Sequence, residues 1–233
     1  MWQHWLFATK QHNNDNALTQ LILDGSAIAV TDGSYYESDN YGTSAWCITT
    51  KDYEIMTEGT SIVPGTGPIH SSFCSEMVGI LAILTCIEKL NIPLDAPNAN
   101  LHIVCDNEKA LEVVDEWTMS KMTPNHNNAN IVSNVLSVRD SLGIQITTEH
   151  VYGHQDHSKP IHLLPPQVQM NIQMDKKARA YALQMINSTK PIFPQSNHYA
   201  SFSPCSWNNK PILQMPLILS TTTQPMINYN NIG

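Results

Sequence analysis

Between residues 26 and 187, extended and helical patterns follow one another in an order that few sheet topologies can accommodate. Three extended stretches come first, AIAVTDGS, TSAWCITT and EIMTEGTSIV, separated by the turn-rich segments YESDNYG and TKDY. Breaks this short suit an antiparallel meander. The run from Ser75 to Leu90 then predicts a helix, with Val78, Leu81, Ala82, Ile83 and Leu84 at helical spacing and Asn91-Ile92-Pro93 closing it. It is apolar nearly all round, which predicts burial. LHIVCD follows as a short buried strand, and NEKALEVVDEW as an amphipathic helix with Ala110, Val113, Val114 and Trp117 on one side. Residues 129–142 form a further helix stopped by Gly143, IQITTEHVYG alternates as a strand, and a last helix carries NIQMDKKARAYAL. Strands separated by helices in this way are parallel neighbours joined by a right-handed crossover. The order β-β-β-α-β-α-α-β-α therefore predicts an α/β domain. Its sheet is mixed and five-stranded, three antiparallel strands then two parallel, with helices on both faces.

The rest of the 233 residues reads as flanks to one domain of ordinary size, and an apolar share of 42% suffices for a packed core. Residues 1–25 are expected to be an N-terminal connector whose amphipathic piece, ALTQLILDG, ends at Gly25. Residues 188–233 are rich in Pro and Asn and show no period of 2 or 3.6, so they read as an irregular tail or linker with Trp207 and the LILS at 217–220 as apolar anchors. The five cysteines, Cys47, Cys74, Cys86, Cys105 and Cys205, form no C-x-x-C pair, and four of them lie in apolar runs. They read as reduced thiols of an intracellular protein. MWQHWLFATK lacks the cationic lead and apolar length of a signal peptide, and no segment has the apolar length to span a bilayer, so no membrane partner is expected. Charged residues make up only 14%, against an ordinary share of roughly a quarter. Residues 1–187 hold ten basic and all twenty acidic residues, a net −10.

Four of those acids sit where chemistry would use them. Asp32 ends an apolar strand, Glu76 lies in the first turn of the apolar helix, Asp106 stands at a strand-to-helix junction, and Asp175 begins the last helix. Adjacent parallel strands would bring Asp32 and Asp106 to one point above the sheet. Each acid alone has an ordinary structural role: Glu76 against a helix dipole, Asp106 and Asp175 as helix caps. Converging carboxylates, however, repel and shift one another's pKa values unless hard divalent cations fill the space between them.

In order and context these acids resemble those of the ribonuclease H family, type 1, and the likeness extends over about residues 26–187. The resemblance implies an endonuclease that hydrolyses the RNA strand of an RNA/DNA hybrid with two Mg2+ ions, Mn2+ serving as a substitute. Asp32 would be shared between the ions, Glu76 and Asp106 would complete one site, and Asp175 the other. Phosphodiester hydrolysis of this kind needs ions about 4 Å apart, one activating water and the other stabilising the leaving oxygen. Tyr152-Gly153-His154-Gln155-Asp156 resembles the family's mobile Gly-His loop, which implies that His154 assists proton or metal movement during product release and can serve as a shuttle. Gly33 and Ser34 would lie along the RNA strand, with Gly33 permitting close approach of backbone to substrate. Ser71, Ser72, Asn107 and Asn171 complete the candidate substrate contacts.

Departures from the family are informative. The stretch HSKPIHLLPPQVQM between His154 and Asp175 is longer than in the compact bacterial enzymes, and Pro165-Pro166 stiffens it. TMSKMTPNHNN offers one lysine where some cellular members carry a basic handle, although a nuclease ordinarily grips phosphates through a basic surface. This weakly basic form resembles the ribonuclease H module of a retroelement polyprotein, in which a reverse transcriptase would be the partner that holds the hybrid. Three alternatives compete. A catalytically inactive scaffold or nucleic-acid-binding module of the same fold would be expected to lack an acid, and none is lost. A transposase or integrase would carry a different last acid and a basic neighbour. Zinc held by His150, His154, His157 and His162 lacks a cysteine at ligand spacing.

Overall fold

The computed structural model describes residues 15–39, 41–63, 70–93, 96–122 and 128–186, together with the backbone of a short antiparallel pair, Ser206–Trp207 with Lys210–Pro211. The remainder of the expected tail and most of the N-terminal lead lie outside the described residues. Five strands, β1 (Ala27–Tyr36), β2 (Tyr41–Thr49), β3 (Ile55–Ile62), β4 (Asn100–Cys105) and β5 (Gln145–His150), form one sheet in the order β3-β2-β1-β4-β5. The pairs β1–β2 and β2–β3 are antiparallel, whereas β1–β4 and β4–β5 are parallel. This is the mixed sheet predicted from the order of elements. Among the described residues no helix is long and apolar enough to cross a membrane.

Side chains alternate across the sheet and sort into two cores. Ala27 and Ala29 of β1, Trp46 and Ile48 of β2, and Leu101, Ile103 and Cys105 of β4 face one side. There they pack with α2 (Ser72–Glu88), α3 (Glu108–Glu116) and α4 (Ala129–Ser141). Val30, Ala45, Cys47 and Val104 face the other side, under α5 (Pro166–Ile186). The period of two is what commits successive residues of one strand to opposite helical layers. Cys47, Cys74 and Cys105 are buried free thiols, and Cys86 is a half-buried one.

The amphipathic piece of the N-terminal segment is α1 (Asp15–Leu23), whose Leu18 and Ile22 are buried in the larger core; Gly25 ends it, as its sequence predicts, at φ +63° as the Ser26 N–H donates back to the Leu21 carbonyl. Three element boundaries differ from the sequence expectation, each for a visible reason. β1 does not stop at Asp32 but runs on to Tyr36, because β2 pairs with it along its length, Asp32 opposite Ala45. α2 begins at Ser72, since the Ser71 hydroxyl caps it by accepting from the Cys74 N–H at 3.2 Å, and Glu76 therefore stands beyond the first turn. α5 begins at Pro166, a residue preorganised for a first helical position, so the last five residues of the stretch HSKPIHLLPPQVQM are helix and Asp175 lies in the helix interior.

α2 lies unusually close to β1, and Gly79 makes that possible. A Cβ at this position would stand 2.0 Å from Thr31 Oγ1, an atom already occupied in donating to the Ala45 carbonyl at 3.1 Å. Gly79→Ala should therefore push α2 off the sheet and destabilise the protein by about 1–3 kcal/mol, as overpacking of a tight core does. Chemical denaturation measures this, and an unchanged midpoint would show that the helix can shift without cost.

Candidate metal centre

The four acids reach one place from both layers. β4 ends at Cys105 while β1 continues, and the register of the parallel pair, Ile28 with His102 and Val30 with Val104, carries Asp32 level with Asp106. Asp32 follows the parity of Ile28 and Val30, the side covered by α5, which supplies Asp175. Glu76 comes from α2 on the opposite side. Asp32, Glu76, Asp106, Asp175 and His154 all line one open cavity of about 490 Å³, together with Gly33, Ser34, Tyr35, Tyr36, Ser72, Asn107 and Arg179.

Glu76 is the most firmly held of the four. Its Oε1 accepts from the Gly33 N–H at 2.7 Å, and its Oε2 accepts from the Cys105 thiol at 3.5 Å. Gly33 has a reason to be glycine beyond the substrate approach expected for it. A Cβ there would lie 2.7 Å from Ser75 Cβ and 2.8 Å from both the Glu76 backbone nitrogen and its Oε1, so the strand can receive α2 only without a side chain. Asp106 leaves the cap of α3 to its neighbour: Asn107 Oδ1 accepts from the Ala110 N–H at 3.1 Å. Asp106 is thereby free to face the cavity. Asp175 accepts from Arg179 Nε at 2.6 Å, and its other oxygen lies 3.9 Å from His154 Nδ1. His154 adopts φ 54° and stacks on His157 at 5.5 Å.

Two expected substrate contacts are placed elsewhere. Ser71 serves as the cap of α2. Asn171 is buried beneath the sheet, where its amide donates to the Thr31 carbonyl at 3.3 Å and ties α5 to β1. Neither lines the cavity. Conversely, Arg179, Tyr35, Tyr36 and Cys105 are cavity or cluster residues that the sequence reading passed over. The i,i+4 spacing of Asp175 and Arg179 was the available signal for the arginine. Cys105 read as a small core residue, and its burial agrees, yet its sulfur and oxygens of Glu76 and Asp106 all lie within 4.8 Å of one another. Among the described residues, the four histidines of the 150–162 segment do not assemble into a ligand group.

Electrostatics make the cluster costly on its own. Burial first, then the charges of Glu76, Asp106 and Asp175, hold the Asp32 carboxyl far above its ordinary range. Glu76 is pushed up chiefly by burial and then by Asp106, the Gly33 hydrogen bond pulling the other way. Asp106 is raised by burial, with His154 opposing. Buried oxygen donors of like charge around an open cavity suit a hard divalent cation such as magnesium or manganese, which needs carboxylates and leaves room for water.

No protein-family model and no curated protein matches the sequence. Solved structures to which the chain is similar include the N-terminal RNase H domain of a Mycobacterium tuberculosis protein fused to maltose binding protein, with 14% identity, a TM-score of 0.43, and coverage of 66% of this chain and 97% of that one. RNase H1 from the halophilic archaeon Halobacterium salinarum matches at 14% identity and a TM-score of 0.42, over 56% of this chain and 89% of that one. LC11-RNase H1 in complex with an RNA/DNA hybrid matches at 10% identity and a TM-score of 0.49, over 67% and 99%.

The raised carboxyls give the metal-free protein a pH dependence of defined sign. Above the ordinary values of 3.8 and 4.5 the unfolded chain has released the protons that folded Asp32 and Glu76 still hold. Stability therefore falls as pH rises out of that range. Thermal melting in EDTA should show the melting temperature dropping between pH 5 and 8, a shallower drop for Asp32→Asn, and recovery of the wild-type loss on adding magnesium. A wild-type profile no steeper than that of Asp32→Asn would remove the strain argument.

Proposed function

We propose that this protein is a magnesium-dependent ribonuclease H of type 1, an endonuclease that hydrolyses the RNA strand of RNA/DNA hybrids to leave 3′-hydroxyl and 5′-phosphate ends. The observation that carries the reading is the convergence of Asp32, Glu76, Asp106 and Asp175 from a strand, two helices and a strand end on one open cavity. Asp32, Glu76, Asp106 and Asp175 are the residues that would hold the divalent ions, Asp32 from the centre of the cluster, Glu76 and Asp106 on one side of it and Asp175 on the other. Two ions bound there would activate the attacking water and stabilise the leaving oxygen. Every other contribution belongs to the chain. Gly33 and Ser34 present backbone along the RNA strand, and the Asn107 amide nitrogen, its oxygen spent on capping α3, is the donor left for a phosphate or ribose hydroxyl. His154, half exposed at the cavity mouth, takes and returns a proton near the leaving group. A purely scaffolding member of the fold would have no use for four mutually repelling carboxylates kept together.

The grip on the hybrid comes from outside this domain. Net charge over residues 1–187 is −10, and α3 is followed by a short 3-10 turn, Met119–Lys121, with one lysine. Such a surface releases few counterions from nucleic acid and so contributes little sequence-independent affinity. A retroelement polyprotein supplies the missing grip through its reverse transcriptase, in an intracellular setting where the free thiols stay reduced.

Asp32→Asn, Glu76→Gln, Asp106→Asn and Asp175→Asn should each reduce cleavage of a labelled hybrid by more than about a hundredfold, the upper end of what losing a partner of a metal ligand costs, while thermal melting shows a retained fold. Full activity in the Asp32 or Asp106 variant would sink the two-ion assignment.

His154→Ala should lower the multiple-turnover rate and leave hybrid affinity close to wild type, because a proton carrier acts in the reaction cycle rather than in ground-state binding. His157, stacked behind it, is the comparison: damage from His157→Ala with none from His154→Ala would transfer the role to the other ring.

A further inference from the structure

We propose that Arg179 is a resident counter-ion of the carboxylate centre that releases Asp175 to divalent cations and then takes a phosphate oxygen of the nucleic acid, the second half of this role resting on the nuclease reading. Of the lysines and arginines among the described residues, Arg179 is the one that lines the cavity. Its neighbours on α5 are directed elsewhere: Lys176 lies 3.6 Å from Asp156, and Lys177 pairs with Glu58. Arg179 Nε instead donates to Asp175 Oδ1 at 2.6 Å.

An i,i+4 pair on a helix surface is ordinarily a minor stabiliser. Three features set this one apart. Its acid is only 15% exposed and belongs to the cluster of like charges, while the guanidinium is 49% exposed at the cavity wall. The arginine's charge is felt beyond its partner, since it lowers the Asp32 carboxyl that the other acids raise. The oxygen it occupies is one of the two that Asp175 offers a cation, and its positive charge opposes a cation at either. Arginine and divalent cation therefore compete for Asp175, and the loser remains beside the cavity. Only Nε is engaged in the pair, so the rest of the guanidinium presents the planar fork that matches a phosphate. Arginine keeps its charge at every working pH, so the exchange is driven by metal rather than by protons.

Competition and phosphate binding predict opposite effects of one substitution. Calorimetric titration of purified Arg179→Gln with Mg2+ should show affinity about two- to fivefold tighter than wild type, the size of a partly exposed ion pair removed. Binding of the same variant to an RNA/DNA hybrid, measured with Ca2+ in place of Mg2+ to hold off cleavage, should weaken by about tenfold, with the slope of log affinity against log salt smaller by about one. Arg179→Lys keeps a charge without the fork and should fall between the two on hybrid. Lys176→Gln removes one positive charge from the same helix outside the cavity and should shift neither quantity. Weaker Mg2+ binding by Arg179→Gln would show that the arginine only orients Asp175, and an unchanged hybrid affinity and salt slope would show that it never meets phosphate; either result overturns the proposal. Wild-type protein that binds Mg2+ yet leaves hybrid intact overturns the nuclease reading instead, and the Mg2+ titration and salt slopes still decide the role of Arg179.

Discussion

The seating of α2 on β1 is the contact from which the rest of the centre follows. Two glycines, Gly33 on the strand and Gly79 on the helix, remove the side chains that would hold these elements apart. That proximity puts the Gly33 N–H within 2.7 Å of Glu76 and leaves the residue 3% exposed, at the cavity wall. A buried glutamate fixed at both oxygens cannot swing away from Asp106 and Asp32 to relieve repulsion. The fold therefore holds an unfavourable electrostatic arrangement in place through hydrogen bonds at both oxygens of Glu76. Such preorganisation is useful only where cations are to be bound in a fixed geometry.

The opposite layer holds its acid differently. Asp175 rides on a 21-residue helix, α5, bolted to the sheet by the Asn171 amide on the Thr31 carbonyl and the Thr43 hydroxyl on the Ala178 carbonyl. Carboxylates on opposite faces of a sheet could not ordinarily meet. They meet here because β4 ends at Cys105 while β1 continues to Tyr36 with β2 as its only strand partner beyond that point among the described residues. The missing pairing opens a notch at the end of β4, the kind of crevice at strand ends where open α/β sheets place their ligands. Asp106, the first residue past β4, stands at its edge.

The sheet order is legible because it depends on local pattern, alternation in the strands and apolar spacing in the helices; acids at junctions mark Asp32, Glu76, Asp106 and Asp175, and the family resemblance groups them with His154, all five of which line the cavity. What was not legible depended on contacts between elements distant in sequence. Nothing near Asp32 in the chain announces that β2 will extend β1 past it. The family resemblance makes Asn171 a substrate contact, and only the packing of α5 on β1 makes it a buried tie. The same resemblance makes Ser71 a substrate contact, although a serine three residues before a helical N–H is first of all a cap. Cys105 and Arg179 were overlooked for opposite reasons. The cysteine satisfied the strand pattern fully, and the arginine satisfied the surface pattern, so neither left a local inconsistency to notice.

Charge distribution then separates catalysis from capture. A chain that carries −10 over its first 187 residues and concentrates carboxylates at its cavity repels the phosphates it would act upon until divalent cations reverse the local sign. Cation binding and substrate approach are thus coupled by electrostatics before any geometry is considered. The cavity mouth offers little to soften this: one guanidinium already committed to Asp175, an imidazole, two tyrosines and the amide of Asn107. Tyrosines and an amide recognise sugar and base by stacking and hydrogen bonding, which fix orientation but add no long-range attraction. A domain built this way discriminates at short range. On the proposed reading such a domain would depend on a partner that brings the nucleic acid to it, since tethering raises effective concentration without altering the chemistry.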